Sequence, residues 1–249
     1  GILMKDGRTD HYAAPGEFRT SQNWIGGGSP ATAKYVPPPV HEMKEALHHL
    51  ELFLCNENNF LPLIKTALAH AQFETIHPFN DGNGRTGRLL TTFYLCQQKV
   101  LERPVLYLSE YLKKNRQTYF DLLDDYHNKG HVVPWINFFL EGVSLVAQEA
   151  IKTCRSVTSI RERDTAKLQQ LGRSAQKGGI VLQNLFKLPL VNVKRVEHWT
   201  GLSRVNANKL VDKLESIGIL EQLDKSENYA RVFKYKDYLD VFTDQQKPK

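Results

Sequence analysis

The most constraining feature of this 249-residue chain is a twelve-residue segment, His77 to Arg88, that leads into an apolar run. Its glycines Gly82 and Gly84 permit a tight turn whose backbone N–H groups converge on one point. The apolar run predicts a helix, which adds unpaired first-turn donors and the positive end of its dipole. A turn of this kind before a helix is an anion site, and phosphate is the expected occupant.

The polar side chains of this segment indicate a magnesium–nucleotide site with a general base. Arg85 and Arg88 lie three residues apart, so they project from one face of the first helical turn. Asp81 offers hard oxygen ligands of the kind that bind Mg²⁺, which usually arrives with phosphates. His77 is the one side chain of the set that exchanges a proton easily near neutral pH.

The segment resembles the signature of the Fic (filamentation induced by cyclic AMP) family, His-Pro-Phe-x-Asp/Glu-Gly-Asn-Gly-Arg-x-x-Arg. The resemblance implies a protein adenylyltransferase, or AMPylator, which transfers AMP from ATP to a Tyr, Thr or Ser hydroxyl of a target protein and releases pyrophosphate. It also implies that His77 is the catalytic base and that Asp81 is the Mg²⁺ ligand.

The resemblance further implies which residues bind ATP. The set in this segment is Asp81, Gly82, Asn83, Gly84, Arg85, Thr86, Gly87 and Arg88. Gly82 to Gly84 would hold the α- and β-phosphates, and the two arginines would hold the β- and γ-phosphates. The related Doc branch, which phosphorylates, has Ala and Lys in place of Gly82 and Gly84, so the glycines favour nucleotidyl transfer.

A second segment, residues 16–28, has β-forming residues flanked by glycines and predicts a short hairpin. It resembles the flap over the active site of Fic proteins. By that resemblance Asn23, Trp24, Ile25 and Gly26 contact the nucleotide, and the edge of the flap binds the target protein by strand addition. The alternative is a surface hairpin with Trp24 packed on the core.

Helical spacing of apolar residues predicts an all-α core around these segments. The predicted helices begin at about Val40, span 61–76 and 85–98, run from an N-cap at Ser109 to Asn128, and span 132–148. Related Fic proteins bind adenosine near Asn115 and Tyr119, although core packing explains such aromatic residues equally well. The fold is therefore expected to be mainly α, with a Fic-type core and β-hairpin flap over 1–150.

The remaining sequence predicts a helical linker over 151–177, a break at Gly178-Gly179 and a small winged-helix (α+β) domain over 178–249. In that domain a helix capped by Ser203 precedes two strand-like runs. DNA is a candidate partner through residues 203–213, whose outward side chains suit phosphate and base contacts. Asp212 and Glu215 oppose it, so a protein-interaction role stays open. The outward candidates are Arg204, Asn206, Asn208, Lys209 and Lys213.

Other classes of protein are excluded by spacing and composition. No apolar run approaches the roughly 20 residues of a membrane span. Gly82-x-Gly84-x-x-Gly87 fits the dinucleotide pattern, but a predicted helix precedes it and Tyr107 stands where an acidic residue is needed. The three cysteines have no zinc spacing and predict reduced, buried thiols in a cytoplasmic protein. The net charge of +6 favours polyanionic partners.

Three alternatives remain beside AMP transfer. The signature can be a plain turn between helices with solvated arginines, or the chain can be a nucleotide-sensing DNA-binding regulator. Some Fic proteins instead remove AMP, using an inhibitory glutamate in a Ser/Thr-x-x-x-Glu-Gly/Asn motif that this chain lacks. Residues 1–4 look like the tail of a helix, which predicts upstream sequence where the family also places that motif. The target protein and a homodimer are left open.

Overall fold

The computed structural model describes residues 16–56, 59–104, 106–224 and 231–243. The chain forms two compact units that divide between Gln148 and Glu149. The first unit contains α1 (Val40–Cys55), α2 (Pro62–Ile76), α3 (Asn83–Gln97), α4 (Leu108–Lys114), α5 (Arg116–Lys129) and the start of α6 (Val132–Gln169). The second contains the rest of α6, α7 (Ala175–Leu185), β1 (Leu190–Asn192), α8 (Val193–Thr200), α9 (Arg204–Ser216), β2 (Glu221–Gln222), β3 (Val232–Lys234) and α10 (Lys236–Thr243).

Helix α2 is the centre of the first unit, and it is buried on several faces because its alanines let neighbouring helices approach closely. Ala69 and Phe73 pack with residues of α1, while Ala67 and Ala71 pack with α5 and the beginning of α6. The indole N–H of Trp135 donates to the Ala67 carbonyl at 2.8 Å. α2 ends directly at the signature segment, so this packing fixes where that segment begins.

The helices predicted at 40, 61–76 and 85–98 are confirmed within one or two residues at the bounds that the prediction stated. The single helix predicted from Ser109 to Asn128 is wrong, because the backbone leaves helical geometry at Asn115 (φ −105°, ψ 35°). Ser109 lies inside α4 and Tyr107 is its N-cap. The Asn115 side chain donates to the Tyr111 carbonyl at 3.0 Å, which satisfies a group at the break.

The hairpin predicted within residues 16–28 is also wrong. Over the flap and the residues described up to α1, the one β pairing is an isolated antiparallel bridge between Ile25 and Tyr35. Gly26 and Gly27 both have positive φ, which turns the backbone out of the extended conformation that a strand needs. The predicted flap is therefore a glycine-rich loop closed by one bridge.

The second unit has a small antiparallel sheet in the order β1-β3-β2, with Val191 opposite Phe233 and Gln222 opposite that same residue. Helices α7, α8 and α9 cover it, and the core they share is apolar. The Ser203 hydroxyl accepts from the Asn206 N–H, as predicted for an N-cap. Strand β1 and helix α10 were not predicted, and much of the loop predicted between the two strands lies outside the described residues.

Three further expectations need correction. Gly178 and Gly179 lie inside α7 and do not interrupt it; the chain turns instead at Gly172, where φ is +52°. The helix predicted to stop at 148 continues as α6 to Gln169. None of the three cysteines predicted to be buried is buried, since Cys55 and Cys154 are exposed and Cys96 is half-buried. No described helix has the length and apolarity that crossing a bilayer requires, and the expectation for residues 1–4 lies outside the described residues.

Candidate active site

The loop between α2 and α3 is held in shape by a buried asparagine. The Asn83 side-chain oxygen accepts from the Phe79 N–H at 2.9 Å, and its amide donates to the Phe79 carbonyl at 2.7 Å. Gly82, with φ +88°, is the N-cap of α3. Asn83 was predicted to bind phosphate, but its side chain is committed to the loop, so its backbone N–H at the start of α3 is what it offers to a ligand.

The charged residues at the start of α3 form a half-exposed cluster. Asp81 accepts from the Gly82 N–H at 2.6 Å and from the Arg85 guanidinium at 3.3 Å. The Thr86 hydroxyl donates to the Gly82 carbonyl at 3.0 Å. The cluster combines a helix N-terminus, which favours anions, with one exchangeable carboxylate–guanidinium pair.

The flap is tied to this loop by a buried arginine. Arg19 is 1% exposed; its Nε donates to the His77 carbonyl at 3.1 Å, and its Nη2 donates to the Pro38 carbonyl. Its backbone N–H donates to the Pro78 carbonyl at 2.9 Å. The Asn23 amide adds a bond to the Phe79 carbonyl at 3.1 Å. This role of Arg19 was not predicted from the sequence.

A cavity of about 780 Å³ opens beside His77, within the size range of small-molecule sites. Three residues that were predicted for the site line this cavity together: Ile25 and Gly26 of the flap and His77 of the signature segment. The other residues predicted to bind the nucleotide do not line it: Asn23, Trp24, Asp81 to Arg88, Asn115 and Tyr119. The rest of the lining was not predicted: Lys34, Tyr35, Glu74, Arg116, Gln117, Phe120, Asp121, Leu123, Asp124 and His127.

Tyr119, predicted near adenosine, lies in the core instead. Its hydroxyl is 3.1 Å from His70 Nε2, and the other His70 nitrogen is 3.3 Å from the Thr91 hydroxyl. Thr91 gives its proton to the Gly87 carbonyl at 3.0 Å, so it accepts from His70 Nδ1–H and leaves Nε2 to accept from Tyr119. The Trp135 ring stacks on His70. The structure therefore assigns this aromatic group to packing between α2, α3 and α5.

His77 has the protonation state and orientation that a general base needs. Burial is the main cause that lowers its pKa to about 4, so the imidazole is neutral at pH 7. Nδ1 lies 3.3 Å from the Glu74 backbone carbonyl, which can only accept. Nδ1 therefore carries the proton and Nε2 keeps the lone pair.

Glu74 lies under the first turn of α3 as a buried carboxyl group. Burial is the main cause that raises its pKa to about 7, against the opposing effect of Arg88. A Cβ atom at Gly87 would stand 2.8 Å from Glu74 Oε1 and 3.2 Å from Phe73. Gly87, predicted to bind the nucleotide, is thus turned toward α2 and makes room for this carboxyl group.

His127 is a second histidine on the cavity wall. Its ring lies 4.2 Å from that of Tyr35, on the far side of the Ile25–Tyr35 bridge, and burial lowers its pKa to about 4. Its Nε2 is buried without a hydrogen-bond partner among the described residues. His77 and His127 are both neutral at pH 7, which leaves the cavity without a fixed charge from either ring.

The described elements give a helical protein in which a neutral histidine lines a cavity and begins the loop into α3. Residues 2–95 match the model of the Fic/DOC family.

Two curated relatives, both called protein adenylyltransferase Fic, align over 128 residues. The protein of Aedes aegypti is 35% identical and that of Culex quinquefasciatus 34%; each alignment covers 51% of this chain and 23% of the relative. The chain thus spans about a quarter of the length of these relatives. The structure is also similar to the crystal structure of a Fic family protein from Desulfovibrio desulfuricans G20, with a TM-score of 0.55 and 22% identity. That likeness covers 94% of this chain and 65% of the other, and it concerns the fold alone.

Proposed function

We propose that this chain transfers AMP from ATP to a hydroxyl group of a target protein and releases pyrophosphate. The observation that carries the proposal is a neutral His77, with its Nε2 lone pair available, that lines a cavity of about 780 Å³ and begins the loop leading into α3. The similarity to proteins called adenylyltransferases supports the same activity.

His77 is the general base of the proposed reaction. Its Nε2 takes the proton of the target hydroxyl as that oxygen forms a bond to the α-phosphorus. The bond from the α-phosphorus to the oxygen that bridges it to the β-phosphate breaks, and pyrophosphate leaves with those electrons. General base catalysis of this kind contributes roughly 10²–10⁴-fold to a rate.

The start of α3 and its arginines bind the triphosphate in this proposal. The first-turn N–H groups and the helix dipole favour the negative charge that grows on the phosphates. Arg85 would exchange its contact with Asp81, which is 38–39% exposed on both sides, for phosphate oxygens. Arg88 lies behind it, close to Glu74.

Asp81 suits a magnesium ion, since one or two carboxylates plus substrate phosphates and water are its usual ligands. Among the described residues no three His, Cys, Asp or Glu side chains gather into a metal site. Mg²⁺ bound there would neutralise phosphate charge.

The target protein is proposed to bind along the flap by strand addition. The N–H and carbonyl of Ile25 are both bonded across the bridge to residues 34 and 35. In an antiparallel pair the neighbouring residues direct these groups to the opposite edge. A target segment would therefore pair with the backbone of Trp24, since the positive φ of Gly26 ends the extended stretch there.

Incubation with α-labelled ATP and Mg²⁺, against the chain itself and a lysate, tests the activity. We expect His77→Ala to abolish label transfer while ATP binding stays within about twofold, because the base is separate from the phosphate donors. His48→Ala on exposed α1 is the matched control and should transfer label normally. Equal transfer by wild type and His77→Ala would contradict the assignment of the base.

A second function is proposed for residues 149–249: DNA binding by a winged helix. The order α7, β1, α8, α9, β2, β3 with a three-stranded antiparallel sheet supports this fold. These residues carry 19 Lys and Arg against 12 Asp and Glu, a surplus of 7 in a chain of net charge +6. Arg231, directly before β3, pairs with Asp212 of α9 at 3.0 Å, which offsets the acidic residue between the exposed basic residues of that helix.

Fluorescence anisotropy of the full chain with a labelled DNA duplex tests this function. Affinity should fall steeply with salt, because bound Lys and Arg displace counterions from phosphates. Arg204→Ala with Lys209→Ala should remove most of the binding, whereas the control pair Lys152→Ala with Arg155→Ala on exposed α6 should not. An absence of salt-sensitive binding, or equal loss in the control, would favour a protein-interaction role.

A further inference from the structure

The buried carboxyl group of Glu74 is a titratable side chain for which the proposed reaction has given no use. The Glu74 side chain is 8% exposed, and its Oε1 has no hydrogen-bond partner among the described residues. Leaving a buried carboxyl oxygen unsatisfied costs free energy, so such a group calls for an explanation. Glu74 also borders the cavity, which brings it within reach of the chemistry.

The surroundings of Glu74 direct it toward His77. Its Oε2 lies 3.9 Å from His77 Nδ1, and in the described residues this is its one ion-pair contact within 4 Å. From α3 it faces Arg88, and from α5 it faces Tyr119. His70 lies one turn earlier on α2, and Arg19 and His127 approach His77 from the flap and from α5. His77 is thus the titratable partner that both reaches the cavity and contacts the carboxyl group.

The proposed reaction needs a group that stabilises His77 once it has taken up a proton. A histidine whose pKa is about 4 is neutral, as a base must be, but it holds an extra proton poorly. Catalytic bases work best when their pKa lies near the working pH. Nearby Arg19 and His127 oppose a positive charge on His77 still further. Some group must therefore stabilise the imidazolium that forms when the target hydroxyl gives up its proton.

We infer that Glu74 is a positioning residue whose carboxylate, 3.9 Å from Nδ1, stabilises the positive charge formed on the His77 ring during proton transfer. The proton moves from the target hydroxyl to Nε2 and stays on His77; Nδ1–H keeps its bond to the Glu74 backbone carbonyl, and the Glu74 carboxylate, 3.9 Å from Nδ1, acts through its charge and exchanges no proton in the step. A carboxylate beside a histidine base stabilises the imidazolium in other enzymes.

Gly87 and Gly84 explain how α3 accommodates this group. A Cβ at Gly87 would stand 2.8 Å from Glu74 Oε1, and a Cβ at Gly84 would stand 3.1 Å from Arg88 Nη1 and 3.8 Å from Oε1. Both glycines thus give space to the carboxyl group or to the guanidinium that faces it. The inference rests on the proposed function for its catalytic part, but the contact with His77 does not.

A titration by NMR tests the contact without any assay of activity. With histidines labelled and His77 assigned by comparison with His77→Ala, its Cε1–H resonance should show an inflection near pH 7, where Glu74 ionises. Glu74→Gln should remove this inflection, and Glu45→Gln on exposed α1 should keep it. No inflection near pH 7 in the wild type, or one that persists in Glu74→Gln, would overturn the inference.

Label transfer tests the catalytic part. Glu74→Gln should lower kcat about tenfold or more with the KM for ATP within about twofold, as expected when a favourable charge–charge interaction is lost in the transition state. Glu74→Asp should restore part of kcat. Unchanged kcat, or a loss that appears in KM instead, would overturn the catalytic part. An absence of transfer in the wild type would overturn the proposed function, while the NMR titration would still decide the contact.

Discussion

Each unit buries a carboxyl group, but only in the second unit do hydrogen bonds and ion pairs satisfy it fully. Asp164 in the second unit is fully buried and satisfied by Arg163 at 2.8 Å, Lys167 at 3.1 Å and the Tyr235 hydroxyl at 2.8 Å, and these bonds lower its pKa. Glu74 in the first unit keeps one oxygen unsatisfied, and burial raises its pKa to about 7. A paired carboxylate serves the fold, whereas an unpaired one lies where a ligand or a reaction needs it.

The same contrast extends to the rest of each unit. Among the described residues the buried side-chain atoms without a partner are Asn23 Oδ1, Glu74 Oε1 and His127 Nε2, all in the first unit. Glu74 and His127 line its cavity, and Asn23 holds the flap to the loop. The second unit buries an apolar core with few polar groups, such as Asp164 and Thr200. The first unit thus gives up stability near its cavity that the second retains.

Low pH should give the largest effect and destabilise the first unit more than the second. Burial lowers the pKa values of His70, His77 and His127 from 6.5 to about 4. Between these pH values the unfolded chain binds protons that the folded chain does not, so the free energy of unfolding is highest above pH 6.5 and falls as the pH drops toward 4. For His70, which is fully buried, the loss is about 3 kcal/mol. Hydrogen exchange read by mass spectrometry should show α2 and α5 losing protection between pH 6.5 and 4 before α8 and α9. Uniform loss in both units would contradict the comparison.

Removal of the two carboxyl groups should have unequal effects on stability. Asp164→Ala leaves Arg163, Lys167 and the Tyr235 hydroxyl without their shared partner and should destabilise the second unit by about 3 kcal/mol. The buried Glu74 carboxyl group costs more stability as the pH rises from 4.5 to 7, because its charged form is the one that burial disfavours. Glu74→Gln removes this cost, so the variant should be as stable as the wild type or more stable at about pH 8. Urea unfolding of the full chain at pH 8 measures both. A larger loss for Glu74→Gln would reverse our assignment of the two roles.

Two helical glycines allow a smaller, matched test. Gly87→Ala forces a Cβ to 2.8 Å from Glu74 Oε1 and should cost about 1–3 kcal/mol through overpacking. Gly179→Ala in α7 meets no atom within 4 Å and should stabilise by up to about 1 kcal/mol, since alanine favours helix. Thermal unfolding of both variants gives the values. Equal effects would mean that Gly87 has no special packing role.

Local sequence patterns predicted much of this fold. The apolar periodicity of the sequence located α1, α2 and α3, and Ser203 located the start of α9. The predictions failed where tertiary contacts override local preference. The glycines of the flap resemble hairpin turns, yet Gly26 and Gly27 are used to open a loop, and Gly178 and Gly179 continue a helix because α7 is packed in a core.

The site was harder to predict from sequence than the fold. His77 and the start of α3 come from one contiguous segment, which a pattern can detect. Glu74, His127 and Arg19 reach the cavity or its loop through packing between distant elements, and nothing in their own neighbourhood marks them. Tyr119 shows the converse, because its place on α5 suggested a ligand contact, whereas His70 and Trp135 draw it into the core.

His77 also has a backbone conformation that histidine seldom adopts, with φ 48° and ψ 59° at the end of α2. For residues other than glycine and asparagine this left-handed conformation costs about 1–2 kcal/mol. A lineage that no longer needed the imidazole would gain stability by mutating this position to glycine or asparagine, and drift would tend to carry it there. The residue that a descendant keeps at this position is therefore a record of whether selection still maintains its chemistry.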